Sequence, residues 1–329
     1  MVVLAVLSAA CSNPSALQPV DDAGADTTVA DDVLGPTVTT IVFPTNPPLP
    51  TLPPTTAPPP PVGVLAVGNL SDCGGQDREV ADLIAAAEGT VLAAGDLTTD
   101  GSAAQLDECF LPLYADKLDR FLAVPGNNDL ATAAGAPFYE IAARTPTGST
   151  PGKGWFVTTI GAWQVIGLNS QCADVGGCGV GSEQYLWLDD ILRNQPSECR
   201  AAFWHDARFT SSHKIPAASE LGDLYGRLHG AGTDLIISAG PANYERLGPL
   251  RPNGDPNEDG VMNFNVGTGS DATDEFGEPK PGSRSRLSGR AGLLSLMLSA
   301  DGYTWEFVAT PSAVEEAGSS IGDAGSGTC

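Results

Sequence analysis

From residue 62 onward the chain alternates short, unbroken apolar runs with segments whose apolar residues recur every three or four positions. An unbroken run of four to seven residues marks a strand covered on both faces, and the longer spacing marks a helix with one buried side. Residues 62–68, 90–94 and 121–124 are predicted strands of this kind. Residues 77–88 are a predicted helix, with Val80, Leu83, Ile84 and Ala87 on one face and Gly89 as its stop. Residues 155–160 and 163–168 predict a hairpin turning at Gly161-Ala162. Ser182 is placed to cap a helix carrying Tyr185, Leu186, Leu188, Ile191 and Leu192. Runs at 201–204, 235–238, 262–266, 293–298 and 303–308 complete the predicted strands, so 62–310 reads as one α/β domain. Residues 311–329, rich in Gly, Ser and Ala, are expected to form a flexible tail.

Before residue 62 the pattern is different. Residues 12–61 hold 13 of the 27 prolines, together with a Thr run, and cannot build a core. They read as a disordered, semi-rigid spacer, of which residues 44–61 could reach roughly 50 Å in polyproline geometry. A docking ligand for a proline-binding module is the sharper alternative. In front lies Val2-Val3-Leu4-Ala5-Val6-Leu7-Ser8-Ala9-Ala10-Cys11. This run is too short to span a bilayer and ends in small residues before a cysteine, as a bacterial secretory signal with a lipobox does. Residues 1–11 are therefore expected to be a signal peptide, with Cys11 acylated as a membrane anchor in a bacterial envelope; plain secretion is the alternative. No Lys or Arg precedes the run, and Ser8 stands where lipoboxes usually carry Leu.

Charge and cysteine narrow the function. With 16 Lys+Arg against 40 Asp+Glu, the formal charge is −24. Such a surface repels phosphate backbones and anionic lipid, which excludes a nucleic-acid partner and a polybasic membrane anchor. The six cysteines beyond Cys11, at 73, 109, 172, 178, 199 and 329, form an even set with no zinc-type spacing and point to disulfides in an oxidising compartment. Asp255-Pro256-Asn257-Glu258-Asp259-Gly260 matches the opening of a calcium loop, but Val266 stands where the bidentate Glu belongs, so a polar hairpin turn is expected. Asp271, Asp274, Glu275 and Glu278 read as a solvated acidic loop. His213 could line a cleft or be a polar loop residue, and His229 reads as a helix-end residue.

The polar residues fall where the strands end. Asn69, Asp96, Asn127-Asn128-Asp129, His205-Asp206 and Gly240-Pro241-Ala242-Asn243 each follow a predicted strand, and ligands of α/β sheets bind beyond the carboxyl ends of strands. Five turns would thus converge on one rim. In order and spacing, Val67-Gly68-Asn69, Ala94-Gly95-Asp96-Leu97, Pro125-Gly126-Asn127-Asn128-Asp129, Trp204-His205-Asp206 and Asn243-Tyr244-Glu245-Arg246 resemble the five blocks of the calcineurin-like metallophosphoesterases, especially the purple-acid-phosphatase-like branch. Arg208-Phe209-Thr210-Ser211-Ser212 and Val266-Gly267-Thr268-Gly269 match further. The resemblance implies a four-layer αββα sandwich, two facing mixed β-sheets flanked by helices, with a two-metal phosphoesterase site at the strand ends. It also implies a Cys73–Cys109 disulfide.

Residue by residue, the resemblance speaks against catalysis. Asn69 stands at an Asp ligand, Thr99 at a Tyr ligand, Asn128 at the histidine that protonates the leaving group, and Gly240 and Ala242 at two His ligands. Asp96, Asn127 and His205 alone match metal ligands. The expectation is a degenerate, non-catalytic binding or structural module without a cofactor. The alternative is a residual mononuclear hydrolase in which those three residues hold one Mn, Zn or Fe ion, and a different chemistry in the same cleft is a third reading. The small-molecule or protein ligand stays unnamed.

Overall fold

A computed structural model describes residues 58–147, 150, 152–317 and 322–329. The predicted signal peptide with Cys11, and the spacer up to residue 57, lie outside the described residues. Thirteen strands occur among those described: β1 (Val62–Val67), β2 (Thr90–Ala94), β3 (Phe121–Val124), β4 (Phe156–Ile160), β5 (Trp163–Gly167), β6 (Cys199–Phe203), β7 (Leu235–Ser238), β8 (Tyr244–Leu250), β9 (Val261–Val266), β10 (Ser283–Leu287), β11 (Gly292–Ser299), β12 (Gly302–Ala309) and β13 (Ala324–Thr328). They form two mixed sheets, one ordered β13-β12-β11-β1-β2-β3 and the other β10-β8-β9-β7-β6-β5-β4.

The period of two along each strand explains why the central runs are apolar throughout. Val64, Ala66, Leu92, Ala94, Leu122 and Val124 face Val165, Ala201, Phe203, Leu235 and Ile237 of the other sheet. Their neighbours Leu65, Val67, Val91, Ala93, Phe121 and Ala123 point the opposite way, onto the helical layer that includes α1 (Gln76–Ala86). On the far side, Ile166, Ala202 and Ile236 pack against α2 (Glu183–Asn194) and α3 (Gly222–His229). Each such Val, Leu or Phe, covered on both faces, contributes about 1.5–3 kcal/mol. The four-layer arrangement follows from this double burial. Ser182 caps α2, accepting from the Tyr185 amide.

One expectation is corrected and two are met. The described parts of the expected flexible tail are built into the fold: α4 (Pro311–Ala317) follows Thr310, and β13 adds to β12 as the sheet's edge. Asp323 accepts from Tyr244 Oη at 2.6 Å and from Arg246 Nε and Nη2 at 2.6 and 2.8 Å, and Cys329 is bonded to Cys199. A Gly/Ser composition carries no apolar period, yet Gly325 and Gly327 lie where a Cβ would strike the rings of Trp305 and Tyr303. The strand is glycine-rich because it lies flat on aromatic rings. The polar segment at Asp255–Gly260 is the turn joining antiparallel β8 and β9, with Asp259 paired to Arg251. Strands β8 and β10 and the helical segments between Ala103 and Arg120 lie outside the sequence-based prediction. The expected Cys73–Cys109 disulfide is present, and Cys172–Cys178 is the third.

Candidate functional site

The carboxyl ends of β1, β2, β3, β6 and β7 meet on one rim. Asn69 and Asp96 both take left-handed backbone angles, φ 55° and 53°, which Asn and Asp tolerate better than most residues. The two turns are stitched together by Asn69 N donating to Gly95 O and Leu70 N to Asp96 O. Glycine is required beside them. A Cβ on Gly126 would lie 2.1 Å from Asp96 Oδ1, and Gly95, at φ +82°, has no room for one against the His205 side chain.

Asp129 locks the turn after β3 to the turn after β2. Its carboxylate, 1% exposed, accepts from the amides of Asp96, Leu97 and Gly126 at 2.8, 2.9 and 2.9 Å. Burial and the neighbouring Asp96 charge push it up to about 7, against the pull of the Gly126 and Leu97 amides and His205. The Asn128 amide in turn donates to Asp96 Oδ1 at 2.9 Å.

Beneath this rim lies His205, 1% exposed. Its Nδ1 is 2.9 Å from the carbonyl of Ala94, which can only accept, so Nδ1 carries a proton. Its Nε2 lies 3.3 Å from Asp96 Oδ2. Burial works against charging the ring, but the Asp96 carboxylate outweighs it and pushes the imidazole up to about 10. The Asp96 carboxylate thus favours the charged form of the ring.

Asn69, Asp96, Thr99, Asn127, Asn128, Gly240 and Ala242 all line one cleft of about 340 Å³. The structure thus gathers seven of the predicted positions around a single space, whereas His205 is buried against Asp96 and Asp206 lines a neighbouring pocket. Thr99 Oγ1 donates to Gln105 and Asn127 Nδ2 to Asn128 Oδ1. Ser71, Asp72, Lys214, Ile215, Ser270, Asp271, Thr273 and Asp274 also line the cleft and were not singled out by strand-end logic. His213 is not among them; its amide donates to Glu275 O in a loop, whereas His229 ends α3 with Nε2 3.0 Å from Asp259 O.

One charged residue was misjudged by sequence reading, and a second is buried in a way no reading foresaw. Asp274, placed in a solvated loop, is 4% exposed; it accepts from the Ala242 amide at 2.9 Å and pairs with Lys214 at 3.0 Å. Glu245 is fully buried, accepting from the Ser211 amide and the hydroxyls of Thr210, Ser211 and Ser283. This bond set joins two of the matched sequence blocks and holds the segment that leads to Lys214 and Ile215 at the cleft wall.

The residues present do not fit a two-metal centre. Among the described residues no three His, Cys, Asp or Glu side chains gather as ligands. Asn69, Thr99, Gly240 and Ala242 bring no charge to the positions where hard cations need it.

The model of the calcineurin-like phosphoesterase family matches residues 65–239. No curated protein sequence matches the chain. Among solved structures, the purple acid phosphatase PPD1 from yellow lupin (Lupinus luteus) seeds is similar with TM-score 0.68 and 15% identity, covering 80% of this chain and 53% of that one. GAP50 of Plasmodium is similar with TM-score 0.59 and 15% identity over 77% of this chain and 86% of its own. PhoD is similar with TM-score 0.55 and 11% identity over 84% and 70%. The chain spans about half the length of the lupin enzyme. A family match over more than half of the chain, on two mixed sheets flanked by helices whose strand-end turns surround one cleft, makes this protein a member of the calcineurin-like phosphoesterase family.

Proposed function

We propose that this protein is an extracytoplasmic metallophosphoesterase-like module that binds through its cleft and does not hydrolyse phosphate esters, held at a membrane by a lipid on Cys11. The observation that carries the reading is the His205–Asp96 pair. Two-metal hydrolysis needs one cation to acidify the attacking water and both to clamp the developing charge. Here Asp96 has His205 beside it, while Asn69, Thr99, Gly240 and Ala242 bring no charge to the positions around it. Asn128 has no proton to give a leaving group, so the general acid, ordinarily worth about 10²-fold or more, is lost as well. Three disulfides suit an oxidising compartment. Among the described residues no helix is long and apolar enough to cross a membrane; the apolar run ending at Cys11 is what supports attachment by acylation. GAP50, of the same fold, is described as the anchor in the inner membrane complex of Plasmodium, which accords with attachment as a role for this kind of module.

The test is hydrolysis of an aryl phosphate by the wild type and by His205→Ala, with manganese, zinc or iron added and the metal content of the purified protein measured. The expected outcome is no turnover above the metal blank by either protein. Turnover by the wild type that disappears in His205→Ala would replace the reading with a mononuclear metal-dependent phosphoesterase built on Asp96, Asn127 and His205.

A further inference from the structure

The cleft keeps one cation, Lys214, which pairs with Asp274, and some of its donors are engaged. Asn69 Nδ2 donates to Gly267 O, and Asn127 Nδ2 to Asn128 Oδ1. Two of its acceptors are free. Asn69 Oδ1 is buried with no partner. Ser270 is 8% exposed and lines the cleft, and among the described residues its hydroxyl meets no partner. The Gly269 amide donates to Gly68 O at 3.0 Å, which brings the chain segments carrying the two residues together on one wall of the cleft. A sequestered carbonyl oxygen without a donor is costly, so the pair marks a place for a group the protein does not supply.

The charges on the same wall specify that group. Asp96 lies beside His205 and Asp274 pairs with Lys214, but among the described residues no Lys, Arg or His side chain pairs with Asp72 or Asp271. Burial first, and then the nearby Asp72 and Asp77 charges, hold the Asp271 carboxyl above its ordinary range. Asp72 uses one oxygen on the Gly74 amide. A phosphate would meet two uncompensated carboxylates here and be repelled. A metal would find too few charged ligands.

We propose that this wall of the cleft, formed by Asn69, Asp72, Ser270 and Asp271, binds a primary ammonium group carried by a small polar molecule. Such a group brings three donors and one positive charge, which matches the orphaned amide oxygen, the free hydroxyl and the two unpaired carboxylates. The proposal rests on the reading of the cleft as a binding site without catalysis.

The experiment titrates the full chain at low ionic strength with ethanolamine, glucosamine and spermidine, and in parallel with ethylene glycol, N-acetylglucosamine and inorganic phosphate. At least one amine is expected to bind, with its neutral counterpart and phosphate at least ~10-fold weaker. Asp72→Asn and Asp271→Asn keep the side-chain shape and are each expected to weaken the amine by about tenfold, a charge-assisted hydrogen bond's worth. Asp107→Asn, on the exposed face of a helical segment, is expected to change nothing. Binding of none of the amines, binding unchanged in Asp271→Asn, or preference for phosphate would overturn the proposal. Metal-dependent aryl phosphate turnover with amine binding intact would remove the non-catalytic reading alone. Absence of both turnover and amine binding would remove this proposal alone.

Discussion

Replacing Asp323 by alanine tests whether the last strand is an integral part of the sandwich. The carboxylate is 8% exposed on the side chain and receives three hydrogen bonds from Tyr244 and Arg246, while the Arg246 guanidinium is 17% exposed and lies 5.1 Å from the Trp305 ring. Asp323→Ala strands a mostly buried guanidinium and a buried hydroxyl together, so the loss expected is about 3–5 kcal/mol. Asp323→Asn keeps the shape and one acceptor and is expected to lose less than half of that. Because Cys329 stays tethered to Cys199, the loss reports on docking of the strand and not on detachment of the chain. The assay is urea unfolding of the oxidised protein followed by tryptophan fluorescence. The pH dependence gives a second check. Burial opposes the Asp323 charge, but Arg246 and Tyr244 outweigh it and hold the carboxyl below its ordinary range. A depressed carboxyl stabilises the fold above its unfolded value near pH 4 and loses that contribution as pH falls through the lower, folded value. The wild type should therefore lose stability on acidification by an increment that Asp323→Asn lacks. A loss below about 1 kcal/mol in Asp323→Ala, typical of an exposed ion pair, would refute the docking argument.

Asp129→Ala leaves the buried amides of Asp96, Leu97 and Gly126 without an acceptor, and at about 1–3 kcal/mol for each such group the urea midpoint should drop by the equivalent of at least ~3 kcal/mol. Cys11→Ala is expected to move the protein from the membrane fraction to the soluble extracytoplasmic fraction on cell fractionation; unchanged membrane association would defeat the lipid anchor. Peptide mapping without reduction should recover Cys73–Cys109, Cys172–Cys178 and Cys199–Cys329 as linked pairs, and free thiols at Cys199 and Cys329 would contradict the seating of β13.

The central strands were legible because burial on both faces leaves one unmistakable trace, an apolar run such as Phe121–Val124 whose bounds coincide with the strand. Strand β10, Ser-Arg-Ser-Arg-Leu, leaves no such trace, since it lies at a sheet edge with Arg284 and Arg286 turned to solvent. Strand β13 was missed because its side chains contribute almost nothing; aromatic rings on β12 do the covering. At the site, Asn69, Asp96, Asn127, Gly240 and Ala242 could be found because a turn directly after a buried strand has one place to go. Asp274 could not. Its burial is set by contacts with Ala242 and Lys214, far away in sequence, and a local run of acids reads as solvated whatever lies opposite.

The Cys199–Cys329 bridge ties the beginning of β6 to the residue after β13, so it clasps one sheet to the other at the amino-terminal end of β6, whereas His205 follows that strand's opposite end. The clasp and the chemistry thus sit at opposite poles of the same strand. A change at rim positions such as 69, 99, 240 or 242 therefore leaves this covalent tie between the two sheets in place, so the frame and the lining of the cleft can be altered independently.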